Sequence, residues 1–335
     1  MSELLLTYIV PVYNTERYLV RCLNSLINQG LSEDNYEVLV VDDGSTDGSR
    51  DLIADFTLRH PQVHLIIQEN AGVSAARNHA LDQARGRYVQ FVDSDDYLQE
   101  GMMERLLQCA VDDDLDVLQF NYRSVDANGT VLPVVTGAAE PTTPVMTGVD
   151  FLRDHSLTPY VWRFLVKREY MAAHEWHFNT SLIVCEDGAL IAEFMLAAQR
   201  MACNADAPYC YVNRSDSAMH STDVDHLQRR IFSQIDSATL INGTVQRFEH
   251  ETNTPAPSSV SELRNVYLYF ALTRALTIGR VEAAVNRMRL AGLYPFPCVG
   301  PESNHTGIKW KVIHRLMMRP RLWALLSRLY CAIKK

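Results

Sequence analysis

The sequence predicts an α/β protein with a mostly parallel sheet and helices on both faces of that sheet. Over the first 120 residues, short apolar runs alternate with stretches that have helical spacing. Repeated β-α-β units of this kind place successive strands side by side and parallel. Apolar residues make up 47% and charged residues 21% of the 335 residues. The chain can therefore bury a core, and a disordered or collagen-like protein is excluded.

The first predicted strand covers residues 4–12, an apolar run rich in β-branched residues, as expected for a strand buried on both faces. Further strands of this type are predicted at residues 36–41, 64–68, 88–92 and 117–122. The helices predicted between them cover residues 18–27, 52–56, 75–84 and 102–111. Gly30, Pro61 and Gly86 provide stop signals for the first three of these helices.

The second half of the chain is less regular. Its predicted elements are a β-hairpin over residues 125–135 centred on Asn128-Gly129, a helix over 186–200, a strand over 207–212, and two or three helices between 224 and 290. Three regions follow from this pattern: an α/β domain over residues 1–222, a helical region over 223–307 and a basic amphipathic tail over 308–335.

The charge is distributed unevenly along the chain. The net charge is −9, but the predicted tail has eight Lys or Arg and no Asp or Glu, so residues 1–307 carry a net charge of −17. An acidic body argues against a nucleic-acid partner. The basic, apolar tail either docks on that body or makes a peripheral contact with an anionic membrane.

The predicted location is the cytoplasm, and the tail adds the inner face of the cell membrane as an alternative. No run approaches the ~18 consecutive apolar residues that span a bilayer. The N-terminus lacks the basic region of a secretory signal. Seven cysteines without a CxxC pair indicate reduced thiols rather than a disulfide framework or a zinc site.

Acidic clusters follow two of the predicted strands. Asp42 and Asp43 follow the second strand, and Asp93, Asp95 and Asp96 follow the fourth. Ligands of doubly wound sheets bind at the carboxyl ends of strands, and like charges crowded there are unfavourable unless a cation or a donor-rich ligand offsets them. A D-x-D pair suits Mg²⁺ or Mn²⁺, with positions left for diphosphate oxygens. The alternative is that these residues only end strands and cap helices, and Asp96 is then a solvated turn residue.

Four ordered motifs lie on these elements: IVPVYN at residues 9–14, VVDDGSTD at 40–47, NAG and ARN between 70 and 78, and FVDSDD at 91–96. Together they closely resemble the family 2 glycosyltransferases, whose catalytic domain has the GT-A fold. The resemblance continues more weakly to about residue 220, through Val161-Trp162-Arg163 and Glu186-Asp187. It implies a nucleotide-sugar donor and transfer with inversion at the anomeric carbon.

The resemblance implies a nucleotide site at these motifs. Pro11 and Tyr13 resemble the wall of the nucleobase pocket, although Tyr13 is alternatively a buried core aromatic. Asp43, with Asp42 as its neighbour, resembles the carboxylate that accepts a hydrogen bond from the base. Arg77 takes the place of a basic residue near the diphosphate, and the alternative is a surface arginine on a helix.

The resemblance also implies a divalent cation, Mn²⁺ or Mg²⁺, as cofactor. Asp95 resembles the direct metal ligand and Asp93 a ribose or metal-side ligand, while Ser94 between them is assigned to the nucleotide-sugar site. Arg214 and His220 follow the last predicted strand, on a loop that would close over the diphosphate. His220 is assigned as a third metal ligand, against the alternative of a surface loop histidine.

Glu186 and Asp187 begin a predicted helix and resemble the family's E-D motif, in which the Asp is the general base. A sugar hydroxyl is a poor nucleophile at neutral pH, and a carboxylate within hydrogen-bond reach takes its proton as the new bond forms. We assign that role to Asp187, with Glu186 orienting the base or the acceptor. The alternative is helix capping, since the helix dipole favours carboxylates there. Trp162 either stacks on the acceptor sugar or belongs to the core.

We therefore predict a metal-dependent, inverting glycosyltransferase that moves one sugar from a nucleotide-sugar to a hydroxyl of a glycan or lipid-linked acceptor, in cell-surface polysaccharide or glycan synthesis. Transfer of a single sugar is favoured over polymerisation because the chain lacks the Q-x-x-R-W motif and membrane helices of processive members. One alternative is a catalytically degenerate nucleotide-binding scaffold at the membrane, which intact Asp95 and Asp187 disfavour. The other is a sugar nucleotidyltransferase, which is disfavoured because residues 11–15 are not a Gly-rich basic loop.

Overall fold

The computed structural model of the chain describes residues 4–132, 139–214 and 223–294. These residues form two compact units. The first comprises residues 4–132, 139–151, 160–180 and 194–214, and the second comprises residues 152–159, 181–193 and 223–294. His220 and the predicted tail over residues 308–335 lie outside the described residues. The predicted organisation into three regions stays a prediction.

The described part of the first unit contains one sheet of eight strands in the order β3-β2-β1-β4-β7-β6-β8-β5. The strands are β1 Leu6–Val12, β2 Tyr36–Asp43, β3 Val63–Gln68, β4 Tyr88–Phe91, β5 Tyr97–Leu98, β6 Val117–Val125, β7 Phe164–Lys167 and β8 Met201–Val212. Parallel pairing joins β3, β2, β1 and β4, and also joins β6 to β8. β7 is antiparallel to β4 and β6, and β5 is antiparallel to β8. The mostly parallel sheet confirms the predicted α/β class.

Helices of the first unit complete its core. The helices that begin in this unit are α1 Glu16–Ile27, α2 Ser49–Thr57, α3 Val73–Leu81, α4 Met103–Asp112, α5 Gly148–Asp154 and α6 Arg168–Ala173. β1 and β2 are buried along their whole length, which explains their mostly apolar sequences. Their side chains form one cluster with apolar residues of α1 and α4, including Leu23 and Leu106.

The structure differs from the sequence prediction at the short strands. β5 and β7 were not predicted, because they are only two and four residues long and pair with strands that are distant in the chain. Of the hairpin predicted over residues 125–135, the described residues show a turn in which Val125 forms an isolated bridge with Val131. Residues 133–138 lie outside the described residues.

The second unit is helical. It contains α8 Val224–Thr252, α9 Ser258–Thr277 and α10 Val281–Leu290, and α7 Glu186–Ala197 begins in it. The Asp223 carboxylate caps α8 by accepting a hydrogen bond from His226 N (2.7 Å), and α8 ends at Asn253 in the left-handed conformation. These helices confirm the predicted C-terminal helical region. In the part of the chain that the structure describes, no helix is long and apolar enough to cross a membrane.

Candidate active site

The carboxyl ends of the parallel strands β1, β2, β3 and β4 form one edge of the sheet, and the four motifs lie there. Hydrogen bonds tie these loops together. The Asn14 side-chain oxygen accepts from Thr46 N (2.8 Å), and the Thr15 hydroxyl donates to the Ser94 hydroxyl (3.0 Å). The loop after β1 is therefore bonded to the loops after β2 and β4. We refer to the five aspartates at this edge as the carboxylate edge: Asp42, Asp43, Asp93, Asp95 and Asp96.

Asp43 ends β2 and is held by three donors. One carboxylate oxygen accepts hydrogen bonds from the Gln68 amide (2.8 Å) and from Ala71 N (2.8 Å), and the other accepts from Gly72 N (2.9 Å). These bonds join the end of β2 to the loop after β3. They fix the orientation of the carboxylate that is predicted to recognise the nucleobase.

Gly44 allows the two loops to approach this closely. Its φ is 74°, and a Cβ at this position would lie 2.9 Å from Asn70 N. Only glycine combines the left-handed conformation with the space required.

Asp42 is fully buried, and its partners are internal. One carboxylate oxygen accepts from Arg50 Nε (2.7 Å) and the other from Ser45 N (3.0 Å). The observed contacts of this predicted nucleotide-site residue therefore fold the loop after β2 back onto α2. Pro11 is likewise buried on β1.

The exposure of Tyr13 and of Arg77 excludes the alternative that the sequence left open for each residue. The Tyr13 side chain is 50% exposed, so it is not a core aromatic. Arg77 is only 3% exposed and is therefore not a surface arginine. Its guanidinium pairs with an Asp93 carboxylate oxygen (2.8 Å) and lies 5.1 Å above the Phe178 ring. The Asn78 side chain exchanges two hydrogen bonds with the backbone of Phe178, each 2.8 Å long, which anchors this part of α3.

Asp95 pairs with Arg214, which lies two residues after the end of β8. Arg214 Nε lies 2.8 Å from an Asp95 carboxylate oxygen, and the guanidinium lies 5.1 Å from the Tyr18 ring centre. Burial, and then the negative charge of Asp93, raise the pKa of the Asp95 carboxyl, while Arg214 opposes the shift. The neighbouring carboxylates thus repel one another even though each has an arginine partner.

Asp96 is buried, which excludes the solvated turn residue that the sequence left open. It is 2% exposed, and its carboxylate accepts hydrogen bonds from the Tyr209 hydroxyl (2.8 Å) and Val212 N (2.7 Å). Burial, followed by the charges of Asp95 and Asp93, raises the pKa of Asp96 well above its ordinary value. The Tyr209 hydroxyl also accepts from Asp93 N (3.1 Å). Tyr209 on β8 therefore supports two aspartates of the edge.

An aromatic stack continues from Tyr209. The Trp162 ring lies nearly parallel to Tyr209, with ring centres 4.2 Å apart, and is also stacked on Tyr160 (5.0 Å). Trp162 is buried and is a core tryptophan rather than an exposed platform for a sugar. Tyr211 lies at the more exposed side of this stack, nearly parallel to Trp162.

A divalent cation fits this edge chemically. Among the described residues, no group of three or more His, Cys, Asp or Glu side chains is placed to hold a metal ion. Mg²⁺, however, is usually held by one or two carboxylates together with substrate phosphates and water. Asp93 and Asp95 supply two carboxylates, and each accepts at more sites than its arginine occupies. A cation would also relieve the repulsion that raises the pKa of Asp95.

Glu186 and Asp187 begin α7 in the second unit. The preceding residue, Cys185, has a φ of 64°. Burial raises the pKa of the Cys185 thiol to about 12, with further contributions from the charges of the two carboxylates. This thiol therefore stays protonated at neutral pH and is not a nucleophile. The backbone of residues 183–185 is hydrogen-bonded to Ser233 and Ser237 of α8, two residues that no sequence motif indicated.

The fold is that of the GT-A class of glycosyltransferases. The family model "Glycosyl transferase family 2" matches residues 7–171. The chain is 31% identical over 241 residues to the uncharacterized glycosyltransferase EpsJ of Bacillus subtilis, and this match covers 69% of each protein. It is 29% identical over 213 residues to the poly(ribitol-phosphate) beta-glucosyltransferase of Bacillus spizizenii, covering 63% of this chain and 32% of that protein. The chain belongs to glycosyl transferase family 2, which confirms the resemblance stated from its motifs.

Solved structures show the same fold. The crystal structure of S. aureus TarS residues 1–349 has a TM-score of 0.66 and 20% identity, and covers 97% of this chain and 91% of that one. The same part of TarS in complex with UDP-GlcNAc has a TM-score of 0.59 and 21% identity, with the same coverage. The predicted GT-A fold is therefore confirmed.

Proposed function

We propose that this glycosyltransferase moves one sugar from a nucleotide-sugar donor to a hydroxyl of a glycan or lipid-linked acceptor, with inversion, in cell-surface polysaccharide synthesis. The observation that carries the proposal is the ion pair between buried Arg77 and partly exposed Asp93, beside Asp95, at the edge where the four motif loops meet. A buried guanidinium among carboxylates supplies a fixed positive charge for a diphosphate.

The donor would bind at the carboxylate edge. Exposed Tyr13 and buried Pro11 would line the nucleobase, and Asp43, fixed by its three donors, would accept a hydrogen bond from the base. Arg77 would contact the diphosphate, and Ser94 would lie beside the sugar-nucleotide. TarS, which shares this fold, has been crystallised with UDP and with UDP-GlcNAc, which supports a nucleotide-sugar as donor.

Asp95 and Asp93 would hold Mn²⁺ or Mg²⁺, with His220 as the predicted third ligand. When bound, the cation would neutralise the charge that develops on the leaving diphosphate. Arg214 now pairs with Asp95, so cation binding would require this guanidinium to share or leave that carboxylate. Released from Asp95, Arg214 would be available to the diphosphate.

Asp187 would act as the general base, with Glu186 beside it. The acceptor oxygen forms a bond to the anomeric carbon while the bond from that carbon to the diphosphate oxygen breaks. The acceptor proton passes to the Asp187 carboxylate, and the electron pair of the broken bond leaves with the nucleoside diphosphate. Attack on the face opposite the leaving group inverts the anomeric carbon.

The acceptor class is supported by what relatives are named for. One relative is a poly(ribitol-phosphate) beta-glucosyltransferase and another is a putative teichuronic acid biosynthesis glycosyltransferase. We extend to this chain only the class, a cell-surface polymer or its precursor. The proposed contact of residues 308–335 with the inner face of the membrane would bring the enzyme to a lipid-linked acceptor.

Binding of a panel of nucleotide-sugars, with and without Mn²⁺, tests the donor site. We expect one donor to bind in the presence of Mn²⁺ and Arg77→Gln to weaken that binding at least about tenfold, since loss of a charge-assisted hydrogen bond is worth roughly 1.5–3 kcal/mol. Arg85→Gln is the matched control, because Arg85 pairs with the buried Glu37 outside the carboxylate edge. Absence of binding by every donor, or equal binding by both variants, would contradict the proposed site.

A further inference from the structure

Two serine hydroxyls of α8 hold the loop that precedes the candidate general base. The Ser233 hydroxyl accepts hydrogen bonds from two successive backbone amides, Ile183 N (3.0 Å) and Val184 N (3.1 Å), and donates to Val184 O (2.8 Å). Four residues further along α8, the Ser237 hydroxyl donates to Cys185 O (2.7 Å). Three consecutive residues of the loop are therefore bonded to one face of one helix.

Both hydroxyls are sealed from solvent, and the Ser233 hydroxyl uses all of its hydrogen-bonding sites. Ser233 is 4% exposed and Ser237 is 0% exposed. A hydroxyl has one donor and two acceptor sites, and Ser233 uses all three. Water cannot readily take over these bonds, so removing a hydroxyl leaves polar groups of the loop without a partner.

The backbone on either side of Asp187 is also constrained. Cys185 has a φ of 64°, a conformation that a non-glycine residue keeps only when its surroundings impose it. On the other side, a Cβ at Gly188 would lie 2.2 Å from the Tyr267 hydroxyl oxygen of α9. The close approach of α9 fixes the first turn of α7 immediately after the candidate base.

From these contacts we propose that Ser233 and Ser237 are positioning residues for Asp187, acting on the rate of transfer only through that carboxylate. The proposal rests on the proposed role of Asp187 as general base. Such a base must reach the acceptor hydroxyl at about 2.6–3.2 Å, and a misplacement of about 1 Å by a distant mutation can lower a rate about 10²-fold. The second unit thereby contributes to catalysis as the support of the base, beyond its contribution to folding.

The competing explanation is that the serines only stabilise the fold. Ser259 of α9 provides a matched control for it. Its hydroxyl is also buried, belongs to the same unit, and donates to a backbone carbonyl, Leu152 O (2.7 Å), but this carbonyl is not on the loop before Asp187. Loss of the Ser259 hydroxyl removes an equivalent bond without touching the base.

The experiment compares hydroxyl-deleting substitutions in two backgrounds, wild type and Asp187→Asn. Ser233→Val and Ser233→Thr have the same shape and differ in the hydroxyl, so their difference isolates the hydrogen bonds. Ser237→Ala is the second, smaller deletion, and carries the same comparison if Ser233→Val does not fold. Each protein is measured by single-turnover transfer at saturating donor, by donor titration and by a melting curve.

In the wild-type background we expect Ser233→Val or Ser237→Ala to lower the transfer rate by about 10- to 10²-fold with donor affinity unchanged. Ser233→Thr should keep most of the rate, and Ser259→Ala should lower the melting temperature but not the rate. In the Asp187→Asn background the serine substitutions should have no further effect on the rate, because residues that act as a unit are not additive.

Each of three distinguishable outcomes would overturn the positioning proposal, and one of them would also overturn the proposed base. If the serine substitutions lower the rate by the same factor in both backgrounds, their role is structural and the positioning proposal is wrong. If Asp187→Asn loses turnover while the serine variants behave like Ser259→Ala, the positioning proposal is wrong and the base stands. If Asp187→Asn itself turns over like wild type, the proposed base is wrong, and the positioning proposal falls with it.

Discussion

Asp43 of the carboxylate edge and the loop before Asp187 are both held by hydrogen bonds that involve backbone groups, but their partners lie at different distances along the chain. Asp43 is bonded to groups 25 to 29 residues away, at the end of β3 and in the loop that carries the third motif. The loop before Asp187 is bonded to α8, 49 to 52 residues away, at positions that no motif marks. The motifs therefore mark the partners of Asp43, whereas no motif marks the partners of the loop before Asp187.

The two regions also differ in how they tolerate charge. Within the described residues, each aspartate of the carboxylate edge has donors from the protein itself: arginines for Asp42, Asp93 and Asp95, and hydroxyl, side-chain amide or backbone donors for Asp43 and Asp96. These donors offset part of the repulsion between the carboxylates and fix their orientation. Glu186 and Asp187 lie in the first turn of α7, at the positive end of the helix dipole.

The largest effect is expected at the base. Asp187→Asn keeps a polar side chain that caps a helix nearly as well but cannot take the acceptor proton. Turnover should fall by about 10²–10⁴, the usual value of general-base catalysis. Single-turnover transfer measures this loss, and a melting curve shows that the fold is kept. Near-normal turnover would mean that the base lies elsewhere, with Glu186 as the next candidate.

The next effect concerns the metal. Asp95→Asn should remove most turnover while the fold survives, and the affinity for a nucleoside diphosphate should stop depending on Mn²⁺, because one of the two carboxylates predicted to hold the cation is gone. Calorimetric titration of the diphosphate with and without Mn²⁺ checks this. An unchanged dependence on Mn²⁺ in Asp95→Asn would remove Asp95 from the metal site.

A smaller effect, on stability, is expected at Gly44. Gly44→Ala must adopt a left-handed conformation and move the Asn70 backbone, whereas Gly101→Ala meets only the first requirement, because nothing lies within 4 Å of its Cβ. We expect losses of about 1–2 kcal/mol for Gly101→Ala and about 2–5 kcal/mol for Gly44→Ala. Urea denaturation of both variants measures the difference. Equal losses would mean that the close approach of the two motif loops is not required.

The smallest effect is a pH dependence at Asp96. Because its folded pKa is raised, the stability associated with its protonated form is present below the ordinary pKa of about 3.9 and is lost as pH rises through the folded value. Asp96→Asn does not titrate, so the variant should gain stability relative to wild type as the pH rises from about 3.9 through the raised folded pKa of Asp96. Denaturation at several pH values measures this gain. A difference that is constant with pH would show that the pKa of Asp96 is not raised.

Most of the sheet could be predicted from the sequence, because β1, β2 and β4 are buried and mostly apolar. The positions of the four motifs at one edge followed from parallel pairing alone. β7 could not be predicted, because four residues are too few to show a period and its pairing depends on strands that are distant in sequence.

The supports of the site were missed for a similar reason. Tyr209 is 113 residues from Asp96, and a tyrosine in a strand is an ordinary strand residue. Ser233 and Ser237 follow one another at helical spacing within α8, which is indistinguishable in sequence from a polar stripe facing solvent. Only the packing of distant elements identifies these residues.

Titration of the donor selected by the panel, with Mn²⁺ present, separates the two regions in one measurement on three proteins: wild type, Asp93→Asn and Asp187→Asn. We expect Asp93→Asn to bind the donor at least about tenfold more weakly, because the partner of Arg77 and a carboxylate for the cation are both altered. Asp187→Asn should bind the donor as wild type does, since its carboxylate is assigned to the acceptor. We assign donor binding to the carboxylate edge and proton transfer to Asp187 at the start of α7. Normal binding by Asp93→Asn, or loss of binding by Asp187→Asn, would contradict this division.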